Sequence, residues 1–254
     1  MSELTAPAGP PQIDTDPSAA GGLSASGLEK AFGPVAVLRG LDLAVGRGEV
    51  LAIFGPNGSG KSTLLRILAT LSRADRGEAQ INGFDTVRQG ERVRQTTGVV
   101  LHSPMLYGDL TVRENLHFFA RMFRLERPTE QISAAADRLH IGQVLDERVQ
   151  SLSHGMQKRV AIARALLHEP RVLLLDEPES GLDQEARELL EGLLSDWRQA
   201  GRCAVMTTHN LGHGLAVCSR VAILSRGRLA FEQSRDEVTE EGLRDAYHRL
   251  TGDG

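Results

Sequence analysis

The stretch Gly55, Pro56, Asn57, Gly58, Ser59, Gly60, Lys61, Ser62, Thr63 carries the clearest chemistry in the chain. It fits the phosphate-binding pattern G-x-x-x-x-G-K-[ST], with a second hydroxyl directly after it. Glycines at 55, 58 and 60 allow positive φ and let the backbone approach phosphate oxygens with no Cβ in the way. Lys61 supplies a point charge for the β- and γ-phosphates, and the Ser62 hydroxyl can ligate Mg2+ beside phosphate oxygens and water. Such a loop needs a strand before it and a helix after it. Residues 49–54 (Glu-Val-Leu-Ala-Ile-Phe) read as a short buried strand, and residues 62–71 read as a helix with an apolar face. The helix N-terminus then presents unpaired N–H groups and the positive end of its dipole to an anion.

A second cluster closes another apolar run. Residues 171–175 (Arg-Val-Leu-Leu-Leu) read as a buried strand and lead straight into Asp176 and Glu177. Asp176 at a strand end can hold Mg2+ through its water shell, and the adjacent Glu177 can orient or deprotonate an attacking water.

Composition narrows the setting. The 254 residues can bury a full core, and the apolar and charged fractions, 41% and 24%, are ordinary for a soluble protein. A net charge of -4 gives no electrostatic reason to expect nucleic acid. Two cysteines, Cys203 and Cys218, exclude a disulfide framework and favour a reducing compartment. Residues 1–26, rich in Pro, Ala, Gly and Ser, read as a disordered tail without the basic start or apolar run of a signal peptide. No apolar run approaches the ~18 residues needed to span a bilayer, so a membrane role requires a partner.

Between the clusters, residues 28–32, 38–45 and 79–84 read as strands joined by tight turns, an antiparallel patch attached to the strand that carries the phosphate loop. Residues 111–124 read as a helix, with Leu116, Phe119, Ala120 and Phe123 on one face and Phe118 and Met122 widening the stripe. Thr111 and Glu114 have the spacing of a capping box. Residues 129–139 and 141–150 continue as helix and turn. Further on, helices at 158–167, 184–198 and 236–250 alternate with strands at 171–175 and 204–207, and residues 221–233 form a hairpin. This alternation predicts a largely parallel central sheet with a helical insert.

Upstream of Asp176 lies Leu152-Ser153-His154-Gly155-Met156, which resembles the Leu-Ser-Gly-Gly-Gln signature of ATP-binding-cassette (ABC) ATPases. Residues 180–183 (Ser-Gly-Leu-Asp) resemble that family's D-loop, and Thr207-Thr208-His209 resembles its switch histidine. The resemblance covers residues 28–233. It implies an α/β fold: a P-loop NTPase (RecA-like) core, an antiparallel β subdomain, and an α-helical subdomain at about 103–155, all within a domain over 27–254. It implies ATP and Mg2+ as ligands and Phe32 stacked on adenine. Two copies would meet head to tail, with Ser153 and the Gly155 N–H binding the γ-phosphate in trans, Asp183 in the D-loop, and His209 on the γ-phosphate. The implied partners are a second copy and an integral membrane subunit that holds the chain at the cytoplasmic face of the membrane.

Two departures stand out. His102 occupies the place where the family usually has a Gln, and a neutral imidazole there suits a metal-held water better than Mg2+ itself. With the following Leu-Tyr-x-x-Leu-Thr-x-x-Glu-Asn-Leu (106–116), this resembles the haem-exporter ATPases of cytochrome c maturation. That makes haem export the favoured expectation, with drug or polysaccharide export, or a soluble non-transport ATPase, as alternatives. His154 and Met156 replace the signature's first Gly and its Gln, while Ser153 and Gly155 remain.

Overall fold

A computed structural model describes residues 22–252. Residues 1–21, most of the expected tail, lie outside it. The strand β1 (Leu23–Phe32) starts earlier than expected, so residues 23–26 belong to a sheet and not to the tail. It pairs antiparallel with β2 (Val35–Val45). Then come β3 (Val50–Phe54), α1 (Lys61–Leu68), β4 (Arg76–Ile81) and β5 (Phe84–Asp85). The run read as one strand over 79–84 is thus a hairpin. Asn82 and Gly83 have φ of 52° and 77°, the two left-handed positions of a tight turn that reverses the chain. The antiparallel sheet has the order β2-β1-β4-β5.

The second half continues with α2 (Gly90–Thr96), β6 (Thr97–Val100), α3 (Val112–Met122), α4 (Pro128–Arg138) and α5 (His154–Leu166). It closes with β7 (Val172–Asp176), α6 (Gln184–Gln199), β8 (Cys203–Thr207), α7 (Leu211–Val217), β9 (Arg220–Ser225), β10 (Arg228–Ser234) and α8 (Glu240–Thr251). The main sheet runs β10-β9-β3-β8-β7-β6, parallel from β9 to β6, with antiparallel β10 at its edge.

Every residue of β3, β7 and β8 is buried, because a parallel sheet is covered on both faces. Alternation along β3 divides the interior. Val50, Ala52 and Phe54 face one core with the insert helices and α6; Leu51 and Ile53 face another with α1 and the antiparallel sheet. The antiparallel sheet therefore packs over a face of the main sheet and does not pair with β3, contrary to the expected attachment. Burial of a side chain such as Phe54 contributes about 1.5–3 kcal/mol. Cys203 and Cys218 are both buried free thiols, pushed up to about 12 and about 11 by that burial.

The insert is built as expected at its start: Thr111 accepts from the Glu114 N–H while Glu114 accepts from the Thr111 N–H. Leu116 and Ala120 are fully buried. Phe118 and Met122, read as part of the inward stripe, are instead exposed, 38% and 63%. The fully buried Asn115 holds the preceding loop, accepting from the Tyr107 N–H and donating to the Tyr107 carbonyl. Tyr107, Phe118 and Phe119 then form an edge-to-face cluster. Arg138 at the end of α4 pairs with Asp196 of α6 at 3.1 Å, and just beyond it His140 Nδ1 is hydrogen-bonded to Glu185 Oε1 at 2.9 Å.

Candidate nucleotide site

The phosphate loop crosses from the end of β3 to α1 with no slack. A Cβ on Gly55 would lie 2.3 Å from the Leu224 carbonyl oxygen of β9, so only glycine fits. Gly60, at φ 110°, caps α1, and no side chain bonds its first-turn N–H groups. A Cβ there would meet Leu38 of β2 at 2.8 Å, which shows that β2 lies over the loop. The buried Lys61 turns back, donating from Nζ to the Gly55 and Pro56 carbonyls at 2.6 and 3.0 Å. Burial lowers its pKa, opposed by the charges of Glu177 and Asp176. The buried Ser59 Oγ has no hydrogen-bond partner among the described residues. An open helix N-terminus, an orphan hydroxyl and a lysine held only by carbonyls make a cradle for an anion.

Glu177 and Asp176 stand at the end of β7, which is separated from β3 by β8. Asp176, 5% exposed, accepts from Thr207 Oγ1 at 2.6 Å. Glu177 sits in the left-handed region at φ 47°, a strain of order 1 kcal/mol or more for a non-glycine residue. Its N–H donates to the Thr207 carbonyl at 3.1 Å, so β8 fixes the turn. His209 Nδ1 lies 3.5 Å from Glu177 Oε1. Among the described residues there is no group of three His, Cys, Asp or Glu able to hold a metal. One carboxylate and the exposed Ser62 hydroxyl instead suit a hard cation that arrives with phosphate oxygens and water.

The signature segment lies beside this turn. The helix α5 starts at His154, inside the motif and earlier than expected, because Ser153 Oγ caps it by accepting from the Met156 N–H at 3.2 Å. A Cβ on Gly155 would lie 2.8 Å from the Gly181 carbonyl, so the segment packs directly on its own chain's 180–183 loop. Asp183 caps α6 through the Ala186 N–H and pairs with Arg159 of α5 at 2.9 Å. These two bonds hold its carboxyl below the usual range, the Ala186 N–H first.

Two expected residues stand apart. Phe32, 56% exposed, lies at the β1–β2 turn with Lys30 Nζ 5.4 Å from its ring centroid. His102 follows β6, which pairs Val100 with Leu175, and is exposed, with no hydrogen bond among the described residues. The sequence motifs alone assign no individual role to Thr207, Thr208, Glu179 and Lys158. The buried Lys158 of α5 has its pKa lowered by desolvation, opposed by Asp176, Glu179 and Glu177. All four residues lie within or next to motifs already singled out, and only the sheet brings them together.

Comparison with known proteins agrees with this geometry. Residues 38–180 match the ABC transporter family. The Nod factor export ATP-binding protein I of Ralstonia nicotianae is 35% identical over 86% of this chain and 69% of its own length. The sulfate/thiosulfate import ATP-binding protein CysA of Bradyrhizobium diazoefficiens is 38% identical over 89% of this chain and 67% of its own. The dimeric ATP-binding cassette MJ0796, bound to ADP and Pi, superposes with a TM-score of 0.75 at 26% identity, covering 84% of this chain and 98% of that one. The chain belongs to the ABC transporter family, as an ATP-binding subunit of the ATPase type.

Proposed function

We propose that the chain hydrolyses Mg2+-bound ATP with Glu177 as general base, as one half of a head-to-tail homodimer that drives transport through a separate membrane subunit. The observation that carries this reading is the convergence of Lys61, Asp176, Glu177 and His209 at one end of the main sheet, with His209 Nδ1 3.5 Å from Glu177 Oε1. Backbone N–H groups of residues 57–63 and the Lys61 ammonium hold the phosphates, and Phe32 offers an exposed ring to the adenine. Ser62 and Asp176 supply oxygen to Mg2+, which when bound neutralises charge on the β- and γ-phosphates. Glu177 accepts a proton from water; His209 orients Glu177 and reaches the γ-phosphate; His102 holds a water at the insert junction. Ser153 and the Gly155 N–H of a second copy complete the site, next to Asp183.

The exposed Met105, Tyr107, Phe118 and Met122 mark the insert as the docking face for the membrane subunit. No helix among the described residues is long and apolar enough to cross a membrane; in this reading the separate membrane subunit holds the chain at the cytoplasmic face. Export is our favoured direction. Its haem form rests on His102 and residues 106–116 alone, and the two relatives compared are named for Nod factor export and for sulfate or thiosulfate import. Drug or polysaccharide export is the alternative. The test is co-purification and transport with the membrane subunit: Phe118→Glu and Met122→Glu should lose pairing and transport while basal ATPase stays. Unchanged pairing and transport would remove the insert as the docking face. Stimulation of the assembled complex by haem, and not by other cargo, decides the subclass.

A further inference from the structure

The ends of β7 and β8 are joined by a second buried contact beyond the Asp176–Thr207 bond. Glu179 is 6% exposed and Thr208 fully buried, and the Thr208 hydroxyl donates to Glu179 Oε1. The same Thr208 oxygen accepts from the Asn210 N–H at 3.0 Å, so one hydroxyl ties Glu179 to Thr208 and Asn210, the two residues that flank His209. Glu179 is itself locked in the turn after Glu177: the Ser180 N–H donates to the Glu177 carbonyl and the Leu182 N–H to the Glu179 carbonyl, both at 3.2 Å. A buried carboxylate is costly to keep, and Glu179 Oε2 has no hydrogen-bond partner among the described residues. Lys158 of the signature helix compensates part of that charge, since Glu179 is among the carboxylates that favour its ammonium form.

We infer that Glu179 is a positioning residue: through Thr208 it sets the turn that aims His209 at Glu177. The inference rests on the proposed pairing of Glu177 with His209 in hydrolysis. Replacing Glu179 by Gln leaves an acceptor for the Thr208 hydroxyl, whereas Glu179→Leu and Thr208→Val remove the grip. None of these touches the phosphate loop, so ATP affinity should hold.

The experiment measures kcat, KM for ATP and the melting midpoint for Thr208→Val, Glu179→Leu and Glu179→Gln, with Thr208→Val repeated in a His209→Ala background. We expect Thr208→Val and Glu179→Leu to lower kcat roughly tenfold with KM within about twofold. Glu179→Gln should recover to within about threefold of the parent, and Thr208→Val should add nothing once His209 is Ala. A wild-type kcat in Thr208→Val overturns the inference. So does a full additional loss in the His209→Ala background, or a fall in kcat matched by a rise in KM and a lower melting midpoint in both variants. If His209→Ala itself turns over at the parent rate, the Glu177–His209 reading fails instead, which separates the two outcomes.

Discussion

The chain has two helix N-termini that serve phosphate in the proposed reading, and they are built in opposite ways. The α1 end is capped by Gly60, with no side chain on its N–H groups, and it forms completely within one chain. The α5 end is capped by Ser153, whose oxygen already accepts from the Met156 N–H. A serine hydroxyl has two acceptor lone pairs and one donor, so Ser153 can cap its own helix and still donate its proton to a phosphate. The first end is ready for a ligand. The second end is stable without one, and its phosphate is proposed to come from another copy.

The largest expected effect lies between these ends. Glu177→Gln should lower kcat by about 10²–10⁴ while leaving ATP affinity near the parent's, since the carboxylate acts on water and not on binding. Single-turnover hydrolysis beside nucleotide binding checks the split.

The far end of α5 offers the next. Beyond its C-terminus, His168 stacks on Phe123 of the insert at 3.8 Å and bonds the Thr97 carbonyl of β6. Burial pushes its pKa down to about 4, with Arg164 adding to the effect and the Thr97 bond opposing it. Below an ordinary value of about 6.5 the unfolded chain takes up a proton that the folded chain refuses. Stability is therefore full above that pH and falls as pH drops towards about 4, by at most about 3 kcal/mol. His168→Phe keeps a stack on Phe123 and should flatten this slope in denaturant melts; an unchanged slope would place the acid sensitivity elsewhere.

Substitutions at Ser153 sharpen the contrast directly. Ser153→Ala should cost about 1 kcal/mol of stability, the usual worth of an N-cap. Ser153→Asp should keep the cap but repel phosphate, so its melt should match the parent's while turnover falls roughly tenfold. Equal turnover in Ser153→Asp and the parent would deny the phosphate role.

The smallest effect concerns His102. If its ring holds a water at the insert junction, His102→Gln, whose amide can serve the same water, should keep turnover within about threefold of the parent, and His102→Ala should lower it further. Parent-like turnover in His102→Ala would leave His102 as a spacer.

Much of this was legible because some residues admit few conformations. The glycines and Lys61 between an apolar strand and a helix had one plausible use, and Thr111 with Glu114 set the start of α3 within a residue. The missed helix α7 carries Gly212 and Gly214, which lower helix propensity; Gly214 is there because a Cβ would come within 2.5 Å of Phe54. Periodicity placed Phe118 and Met122 on the apolar stripe of α3, but it does not say what covers that stripe, and here both are exposed. Composition assigned residues 23–26 to a tail, whereas pairing of Leu23 with both Val45 and Ile81 draws them into the sheet. Glu179 and Thr208 are 29 residues apart and meet only because β7 and β8 lie side by side. No local pattern carries that contact.

The claim that one N-terminus serves its own chain and the other a partner is tested most directly with Glu177→Gln, which should bind ATP and stall before hydrolysis. Size-exclusion with light scattering should give the mass of one chain without nucleotide and of two chains with Mg2+ and ATP, and Ser153→Asp added to it should return the single-chain mass. A single-chain mass under both conditions, with wild-type turnover retained, would contradict the account.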